Sequence, residues 1–297
     1  MRGRIEEQDT KTNAEVISSL RHLYPLSSLL ALCRMPRSTY YHALWRKRQP
    51  DKYAKLKEFI KKEFKNSFET YGYRRIASQA RRAGFKCSPN TINRLMGDLG
   101  LTVTVYSRHI SGYHSYKGNT GTIVDNVLKQ KFDATEPYTV LHTDVTQVKL
   151  ANNQWGYISA VIDEASSEVI SLNVSNHANK QQLATTLNDL QAKIPKESTP
   201  ILHSDQGWQY QLSYYHQTLH KMGIIPSMSR KGNCHDNAPI ESFFNLLKRE
   251  RLNRSKIEDL DNLEEITSQY VRWFNEERIS LNKNGLTPIE YRNQAIV

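Results

Sequence analysis

From residue 138 onward, the order of the apolar patterns constrains the fold more than any other feature of the chain. Three segments rich in β-branched residues come first, and the short polar breaks between them predict antiparallel strands: YTVLHTDVTQVKL, QWGYISAVIDEAS and SEVISLNVSN. Two shorter strand patterns follow, TPILHSDQG and IIPSMS, in alternation with segments of helical periodicity. The order βββαβαβα predicts an α/β fold with a mixed five-stranded sheet and flanking helices.

Two aspartates occupy strand positions in this half of the chain, after the similar phrases LHTD and LHSD. Asp144 lies within the first predicted strand, and Asp205 lies at the end of the fourth. A carboxylate in a half-buried strand is costly unless it is paired or bound to a metal. If the first and fourth strands are neighbours, the two aspartates meet, and their repulsion favours a divalent cation. Hard oxygen ligands suit Mg²⁺ or Mn²⁺.

A third carboxylate, Glu241, stands near the start of a predicted helix. Asn237 or Asp236 is expected to cap this helix, whose apolar stripe faces the sheet: Ile240, Phe243, Phe244 and Leu247. By itself, Glu241 is best explained as a carboxylate that stabilises the helix dipole, worth about 0.3–1 kcal/mol. Because two strand aspartates lie in the same region, a cage of three carboxylates becomes the favoured interpretation.

Three carboxylates with two metal ions suit in-line phosphoryl displacement. One ion lowers the pKa of the attacking water or 3′-hydroxyl, and the other stabilises the leaving oxygen. The sequence has no P-loop, no Ser-His-Asp order and no dinucleotide glycine motif that would indicate another chemistry. Residues 138–297 are therefore predicted to form a catalytic core with C-terminal helices.

Positive charge is concentrated in the first half of the chain. Residues 1–137 carry a net charge of +13 and residues 138–297 a net charge of −2, within a total of +11. Segregated positive charge is typical of proteins that bind a polyanion, most often nucleic acid. A merely lysine-rich protein rarely segregates its charge in this way, so the sequence predicts a nucleic-acid partner.

Residues 1–48 contain two or three short helical patterns after a polar start that we expect to be loosely ordered. The last pattern has Pro36 before it and Ser38 as a candidate N-cap. Two short helices joined by a tight turn suit a helix-turn-helix, and an ordinary helical hairpin is an equally open alternative.

Residues 49–105 form a second and better-formed helix-turn-helix candidate. An amphipathic helix over 51–66 precedes two further helical patterns, with Gly84 suited to a C-cap and Ser88 to an N-cap. Polar side chains in this region are predicted to contact phosphates and bases, with a solvated charged face as the alternative: Arg74, Arg75, Asn90, Asn93 and Arg94. Residues 106–137 are expected to form a basic linker.

Four cations near Glu241 are further candidates for holding DNA. Arg230 and Lys231 belong to a segment, 229–232, that we expect to form a mobile loop over the site. Lys248 and Arg249 follow Glu241 two turns later on the same helix, and Lys248 lies about 10 Å along its axis. This spacing would let Lys248 contact the backbone of a DNA strand that extends away from the metal ions.

Four side chains near the aspartates have a structural and a functional interpretation. His142 and His203 each precede an aspartate by two residues, and hydrogen-bonded structural histidines are favoured over residues that tune the site. Trp208 and Tyr210 either stack on a base or pack against the following helix, and packing is at least as well supported.

These motifs closely resemble those of the DDE transposases of bacterial insertion sequences, which share the retroviral-integrase core. The resemblance is carried by HTDVT, HSDQGWQY and SMSRKGNCHDNAPIESFFNLLKRE, by the 35 residues between Asp205 and Glu241, and by Lys248. More narrowly, YGYRRI, SYKGNTG and FNEERISLNKNGLTPIEYR resemble the group whose transposase is read from two overlapping frames. The resemblance covers nearly everything after about residue 20.

The resemblance implies an RNase H-like core in which Asp144, Asp205 and Glu241 bind two Mg²⁺ ions, with Mn²⁺ able to substitute. It also implies cleavage at the ends of an element and transfer of a 3′-hydroxyl to a target phosphodiester of double-stranded DNA, by a homo-oligomer assembled on DNA. Two departures, a missing tryptophan around TVLHTD and Ile279-Ser280 in place of a Pro-His pair, bear on local packing.

The sequence has no heptad run of the kind that an upstream frame often supplies. We therefore expect this chain to be the downstream-frame product, and an upstream-frame protein is a candidate partner. Two other functions remain open. One is a DNA-binding regulator of the element with a catalytically silent core, which the intact triad speaks against. The other is an RNase H-like nuclease for hybrids or junctions, which the basic first half speaks against.

The cysteines and the N-terminus indicate the compartment. The three cysteines are far apart and form no CxxC pair, which argues against a disulfide framework or a zinc site. The charged N-terminus does not resemble a signal peptide, and the longest apolar patch is too short to span a bilayer. We expect a cytoplasmic, nucleoid-associated bacterial protein without a membrane partner.

Overall fold

The computed structural model describes residues 2–105, 121–230 and 234–295; for residues 2–9 and 234 it describes the backbone alone. The chain divides into two compact units, Met1–Phe59 and Ile60–Val297. Within the described ranges, none of the helices has both the length and the apolar character that crossing a bilayer requires.

The first unit contains three helices around a small apolar core: α1 (Arg2–Leu20), α2 (Leu26–Leu32) and α3 (Arg37–Arg48). The core side chains come from all three helices and the turn between the last two: Ala14, Ile17, Leu29, Leu30, Met35 and Tyr40. Because Ala14 and Ile17 share one face of α1, their burial anchors a helix that begins at Arg2. The expectation of a loosely ordered start is therefore wrong.

The N-cap predicted at Ser38 is also wrong. Pro36 occupies the N-cap position with an extended backbone, and it lacks a side-chain capping hydrogen bond. Ser38 is the second residue of α3, inside the helix. The φ of Pro36 is fixed near the helical value, so the helix starts at Arg37, two residues earlier than an N-cap at Ser38 would allow.

Three helices follow: α4 (Ala54–Asn66), α5 (Tyr73–Arg82) and α6 (Pro89–Asp98). Two of the predicted caps are confirmed. The Ser88 hydroxyl accepts a hydrogen bond from the Thr91 amide at 3.2 Å, and Gly84 follows the C-terminus of α5 with a φ of +86°. Because only glycine adopts that φ without strain, it ends α5 and turns the chain into α6.

Five strands form one mixed sheet in the order β3-β2-β1-β4-β5. They are β1 (Val140–Lys149), β2 (Trp155–Asp163), β3 (Val169–Ser175), β4 (Ile201–Ser204) and β5 (Ile225–Met228). The first three strands pair antiparallel, whereas β4 pairs parallel with both β1 and β5. The predicted mixed five-stranded sheet is confirmed, and the first and fourth strands are neighbours in it.

Helices cover both faces of the sheet. Helices α7 (Lys180–Lys193) and α8 (Ser213–Lys221) pack on the face to which Leu141 and Leu202 contribute. Helices α9 (Ala238–Glu250) and α10 (Leu260–Glu276) cover the other face, and α11 (Pro288–Ala295) packs on α10. Since side chains alternate along a strand, His142 and Asp144 lie on the face of α9.

Residues 121–137, the second half of the predicted linker, lie against the sheet. The Val127 amide donates to the Ser227 hydroxyl at 3.0 Å, and the Thr122 amide donates to the Gln211 carbonyl at 3.1 Å. The outer side of β5 is therefore covered, as edge strands usually are. The first half of the linker, 106–120, lies outside the described residues.

Helices α5 and α6 belong to the same compact unit as the sheet. The Tyr71 hydroxyl accepts a hydrogen bond from the Ile279 amide at 2.8 Å. Arg82 forms an ion pair with Glu290 of α11. The helix-turn-helix segment is thus bonded directly to the C-terminal helices of the core.

Candidate active site

Asp144 and Asp205 come from neighbouring parallel strands. His142 of β1 lies opposite His203 of β4, and each aspartate lies two residues further along its chain. Side-chain alternation puts both carboxylates on the face covered by α9. Their charges interact strongly enough that Asp205 raises the pKa of Asp144, so the two groups lie within electrostatic reach of each other.

Glu241 reaches this region from the first turn of α9, where it is half-buried. The predicted apolar stripe of α9 is buried and fixes the orientation of the helix: Ile240, Phe243, Phe244 and Leu247. Burial raises the pKa of Glu241; the exposed His235 opposes that rise, and Asp205 adds to it. The charge of Asp205 therefore acts on Glu241.

Burial and mutual repulsion dominate the electrostatics of the three carboxylates. The pKa of Asp144 lies well above its ordinary value because burial, Asp205 and Glu241 all disfavour its charged form, and Lys248 only partly offsets them. Burial lowers the pKa of Lys248, against its attraction to Asp144. A cation bound among these groups would relieve the repulsion.

The donor chemistry of the site fits a divalent cation. All three groups supply carboxylate oxygens, the ligands that Mg²⁺ and Mn²⁺ prefer. Asp144 also accepts a hydrogen bond from the Val145 amide at 2.7 Å, and Asp205 accepts one from the Gly207 amide at 2.8 Å. Within the described ranges, however, no three acidic, histidine or cysteine side chains already form a closed ligand group. Metal binding therefore requires the three carboxylates to converge further.

Asn237 connects the start of α9 to β1. Its Oδ1 lies 2.9 Å from His142 Nδ1, and its Nδ2 donates to the Thr143 carbonyl at 3.1 Å. On the other side of the ring, His142 Nε2 lies 2.8 Å from Glu164 Oε2. Asn237 occupies the N-cap position but makes no capping hydrogen bond with its side chain. The predicted N-cap position at Asn237 is therefore confirmed, but neither its side chain nor that of Asp236 caps the helix, because both bind elsewhere.

The structural interpretation of the two histidines is confirmed. Both rings are fully buried and lie 5.6 Å apart. His203 Nδ1 lies 2.9 Å from the Ser227 hydroxyl, and Nε2 lies 3.1 Å from the Ser229 hydroxyl. Burial lowers the pKa of His203 to about 4, so this ring is neutral at physiological pH.

Arg230, a predicted DNA contact, is held by a buried carboxylate. Its amide and its guanidinium both donate to Asp236, each at 2.8 Å, and Asn126 donates to the same carboxylate at 2.9 Å. Arg230 also lowers the pKa of Asp236 far below its usual range. Ser229 is buried, so the expected mobile loop has a fixed start. Residues 231 and 232 of this segment, and with them Lys231, lie outside the described residues.

Lys248 and Arg249 open onto different cavities. Lys248 lines one of about 650 Å³ together with Lys149 and Lys256. Arg249 lines another of about 520 Å³, and the predicted contacts Arg74 and Arg75 line the same cavity. The structure thus brings three of the predicted cations together and separates Lys248 from them.

The remaining predicted contacts lie on or near the surface. Asn90, Asn93 and Arg94 are exposed on α6, and their role stays a prediction. Tyr210 is fully buried in the core under α7 and α8. The packing interpretation of Tyr210 is therefore confirmed, whereas Trp208 remains half-buried.

Three residues around the site were not predicted for the roles they have. Glu164 supports His142, Asn237 ties α9 to β1, and Asp236 holds Arg230. Each role depends on a partner that is distant in sequence or on a side chain turned away from its own helix. The sequence shows only that a polar residue stands in a loop, and this does not reveal which group its side chain binds.

Family models match three parts of the chain. The model described as "Integrase core domain" matches residues 134–234, and a second integrase-core model matches residues 241–296. The model described as "HTH-like domain" matches residues 50–109.

Similar proteins are designated as transposases. The chain is 40% identical over 280 residues to a protein designated transposase InsK for insertion sequence element IS150 of Escherichia coli (strain K12), covering 94% of this chain and 98% of that one. It is 31% identical over 290 residues to a transposase designated for insertion sequence element IS1353 of Shigella flexneri, covering 97% of this chain and 56% of that protein. Among solved structures, the HTLV-2 integrase catalytic core in complex with magnesium matches 54% of this chain and 99% of that chain, with 16% identity and a TM-score of 0.43.

Proposed function

Because this chain belongs to the bacterial insertion-sequence transposases with an integrase core, we propose that it cleaves DNA at the ends of an element and joins the freed end to target DNA. The observation that carries the proposal is the electrostatic coupling of Asp144, Asp205 and Glu241 on one face of the sheet. Asp205 raises the pKa of both Asp144 and Glu241, and Glu241 also raises that of Asp144, so bound cations would balance the negative charge of this site.

Asp144, Asp205 and Glu241 are the proposed ligands of two Mg²⁺ ions, for which Mn²⁺ substitutes. The bound ions would lower the pKa of the attacking water or hydroxyl and stabilise the leaving oxygen. Asp144 stands on β1, Asp205 directly follows β4, the strand paired with β1, and Glu241 approaches the site from α9. Lys248, half-buried within reach of Asp144, neutralises a phosphate next to the reacting bond.

Each chemical step forms one P–O bond and breaks another. In cleavage, a water oxygen attacks the phosphorus at the end of the element, and the 3′-oxygen leaves as a free hydroxyl. In strand transfer, that 3′-hydroxyl attacks a target phosphorus, and the target 3′-oxygen leaves with a proton. Both steps need positioning and charge stabilisation, and neither needs a redox partner.

The basic first half of the chain is the proposed DNA-recognition region. The exposed residues of α6 are suited to base edges and phosphates: Asn90, Asn93 and Arg94. We further propose that the active form is a homo-oligomer on DNA and that an upstream-frame protein assists end recognition. The reaction then takes place where bacterial DNA lies, in the cytoplasm.

A strand-transfer assay tests this function. The purified chain is mixed with pre-cleaved element-end DNA, a target plasmid and Mg²⁺ or Mn²⁺. The wild type is expected to join the DNAs, and Asp205→Asn is expected to abolish joining while it leaves DNA affinity nearly unchanged. Asp261→Asn removes an exposed carboxylate from α10 and is the matched control.

The outcomes separate the alternatives. Undiminished joining by Asp205→Asn would disprove the proposed role of the triad. Absence of joining by a wild type that binds Mn²⁺ would indicate that an upstream-frame partner is needed for chemistry. A wild type that binds DNA but neither joins it nor binds a metal would be a regulator with a silent core.

A further inference from the structure

A cleft of about 520 Å³ lies between the start of α5 and the C-terminal half of α9. Its size is that of a ligand pocket rather than of a packing defect. Four arginines line it, Arg74, Arg75, Arg249 and Arg278, and Glu250 is the one acidic side chain among the described lining residues. The cleft is therefore strongly basic.

The acidic side chain does not face the opening of the cleft. Both Glu250 oxygens are engaged: Oε1 accepts from Arg278 at 2.8 Å, and Oε2 accepts from the Tyr270 hydroxyl at 2.7 Å. Glu250 and Arg278 are both buried. This neutral pair forms part of the cleft wall, so the charge available to an incoming group comes from the other three arginines.

Two of these arginines stand where they do not stabilise their own helix. Arg74 and Arg75 are in the first turn of α5, which has no acidic residue. The N-terminal end of a helix carries partial positive charge and amides without intrahelical partners, so it favours anions and disfavours cations. The N-cap, Gly72, has no side chain to satisfy those amides, although its carbonyl accepts a hydrogen bond from the Arg75 amide at 3.0 Å. A bound anion would offset the repulsion and use the guanidinium groups together with the remaining amides of the first turn.

Aromatic side chains position the same arginines. The Arg75 guanidinium lies 5.5 Å from the centre of the buried Tyr71 ring. Arg74 Nε donates to the Tyr73 hydroxyl at 3.2 Å, and Tyr73 also lines the cleft. Arginines interleaved with tyrosines are typical of surfaces that track a nucleic-acid backbone.

We propose that this cleft grips the phosphodiester backbone of the DNA substrate between the helix-turn-helix and the catalytic helix. The inference rests on the proposed function for the identity of the anion. Arg249 and Glu241 stand on the same helix, eight residues and about 12 Å apart along the axis. That distance corresponds to about three to four nucleotides of a strand. The cleft thus holds a backbone segment close to the reacting phosphate and fixes its direction.

The salt dependence of DNA affinity tests the proposal. Binding of a random-sequence duplex is measured between about 50 and 200 mM salt with the full chain and with Arg74→Gln/Arg75→Gln/Arg249→Gln. Each lost phosphate contact reduces the slope of log K against log salt by about 0.9, so the triple variant is expected to lose about 2.7. Lys221→Gln/Arg272→Gln removes two exposed cations away from the cleft and should retain more of the slope.

Charge-retaining variants distinguish contact from folding. Arg74→Lys/Arg249→Lys should keep the wild-type slope, and Arg74→Gln/Arg249→Gln, which leaves Arg75 on Tyr71, should lose about 1.8. An unchanged slope in the glutamine variants, or no binding of the duplex by the wild type, would overturn the proposal. The strand-transfer assay is independent of this test: a reduced slope in the glutamine variants supports the cleft even if the wild type joins no DNA, and an unchanged slope overturns the cleft even if the wild type joins DNA.

Discussion

At the scale of single residues, Asn237 explains how α9 is held so that Glu241 lies near the aspartates of the sheet. Asn237 Oδ1 accepts a hydrogen bond from His142 Nδ1, and its Nδ2 donates to the carbonyl of Thr143, the residue directly before Asp144. An asparagine at this position normally caps its own helix, a contribution of about 1 kcal/mol. Here the side chain bonds to β1 instead, so the start of α9 and the Asp144 backbone are fixed to each other.

Asn237→Ala should therefore loosen the metal site without affecting DNA recognition. Loss of a group that orients ligands typically lowers metal affinity by about 10–100-fold, and a drop in Mn²⁺ affinity of that size is expected in calorimetric titration. DNA affinity should stay within about twofold of the wild type, since interface mutations away from the contacts are nearly neutral. Asn245→Ala, which alters an exposed residue on the same helix, is the control; equal Mn²⁺ affinities in both variants would refute the role of Asn237.

At the scale of elements, the five strands and the helices of the core follow from periodicity because each buries an apolar face of its own. The sequence predicts that Asp144 and Asp205 meet only if the first and fourth strands are neighbours, and the structure pairs β1 with β4. The contacts of the loops could not be predicted. Asp236 binds Arg230 and Asn126, and this choice depends on the position of residues 121–137 beside β5.

The ion pair of Asp236 makes the connection between β5 and α9 sensitive to acid. Because the pKa of Asp236 is lowered in the folded protein, its stabilising contribution is present above the unfolded pKa of about 3.9 and is lost as the pH falls below it. Asp236→Asn should lower the free energy of unfolding at pH 7 by about 1.5–3 kcal/mol. In urea unfolding, the gap between wild type and variant should narrow below about pH 4; a gap that stays constant with pH would contradict the ion-pair account.

At the scale of the whole molecule, the second unit links the helix-turn-helix to the catalytic core through a buried polar network. Glu250 at the end of α9 accepts from Arg278 and from Tyr270 of α10. The next residue after Arg278, Ile279, donates its amide to Tyr71, just before α5. The apolar pattern predicts each of these helices by itself, but it gives no information on which charged side chains form pairs between helices. The bonds between the helix-turn-helix segment and the core are therefore visible in the structure but not in the sequence.

Breaking this network should destabilise the second unit strongly. Glu250→Gln leaves the buried Arg278 guanidinium without its counter-charge, and removal of one partner of a buried pair typically costs about 3–5 kcal/mol. Glu250→Gln/Arg278→Met should be less destabilised than Glu250→Gln alone, because no uncompensated charge remains. Denaturant unfolding gives both values, with the exposed Glu276→Gln as control. A double variant less stable than the single one would argue that the pair is not an electrostatic unit.

We propose that Asp144, Asp205 and Glu241 act as one metal-binding group. The most direct test is Mn²⁺ titration, followed by electron paramagnetic resonance, of the wild type and of Asp144→Asn, Asp205→Asn and Glu241→Gln. If the three carboxylates share the metal, each single substitution lowers Mn²⁺ affinity, and the exposed control Asp261→Asn does not. A wild type without Mn²⁺ binding, or any one of the three variants with wild-type affinity, would contradict the account.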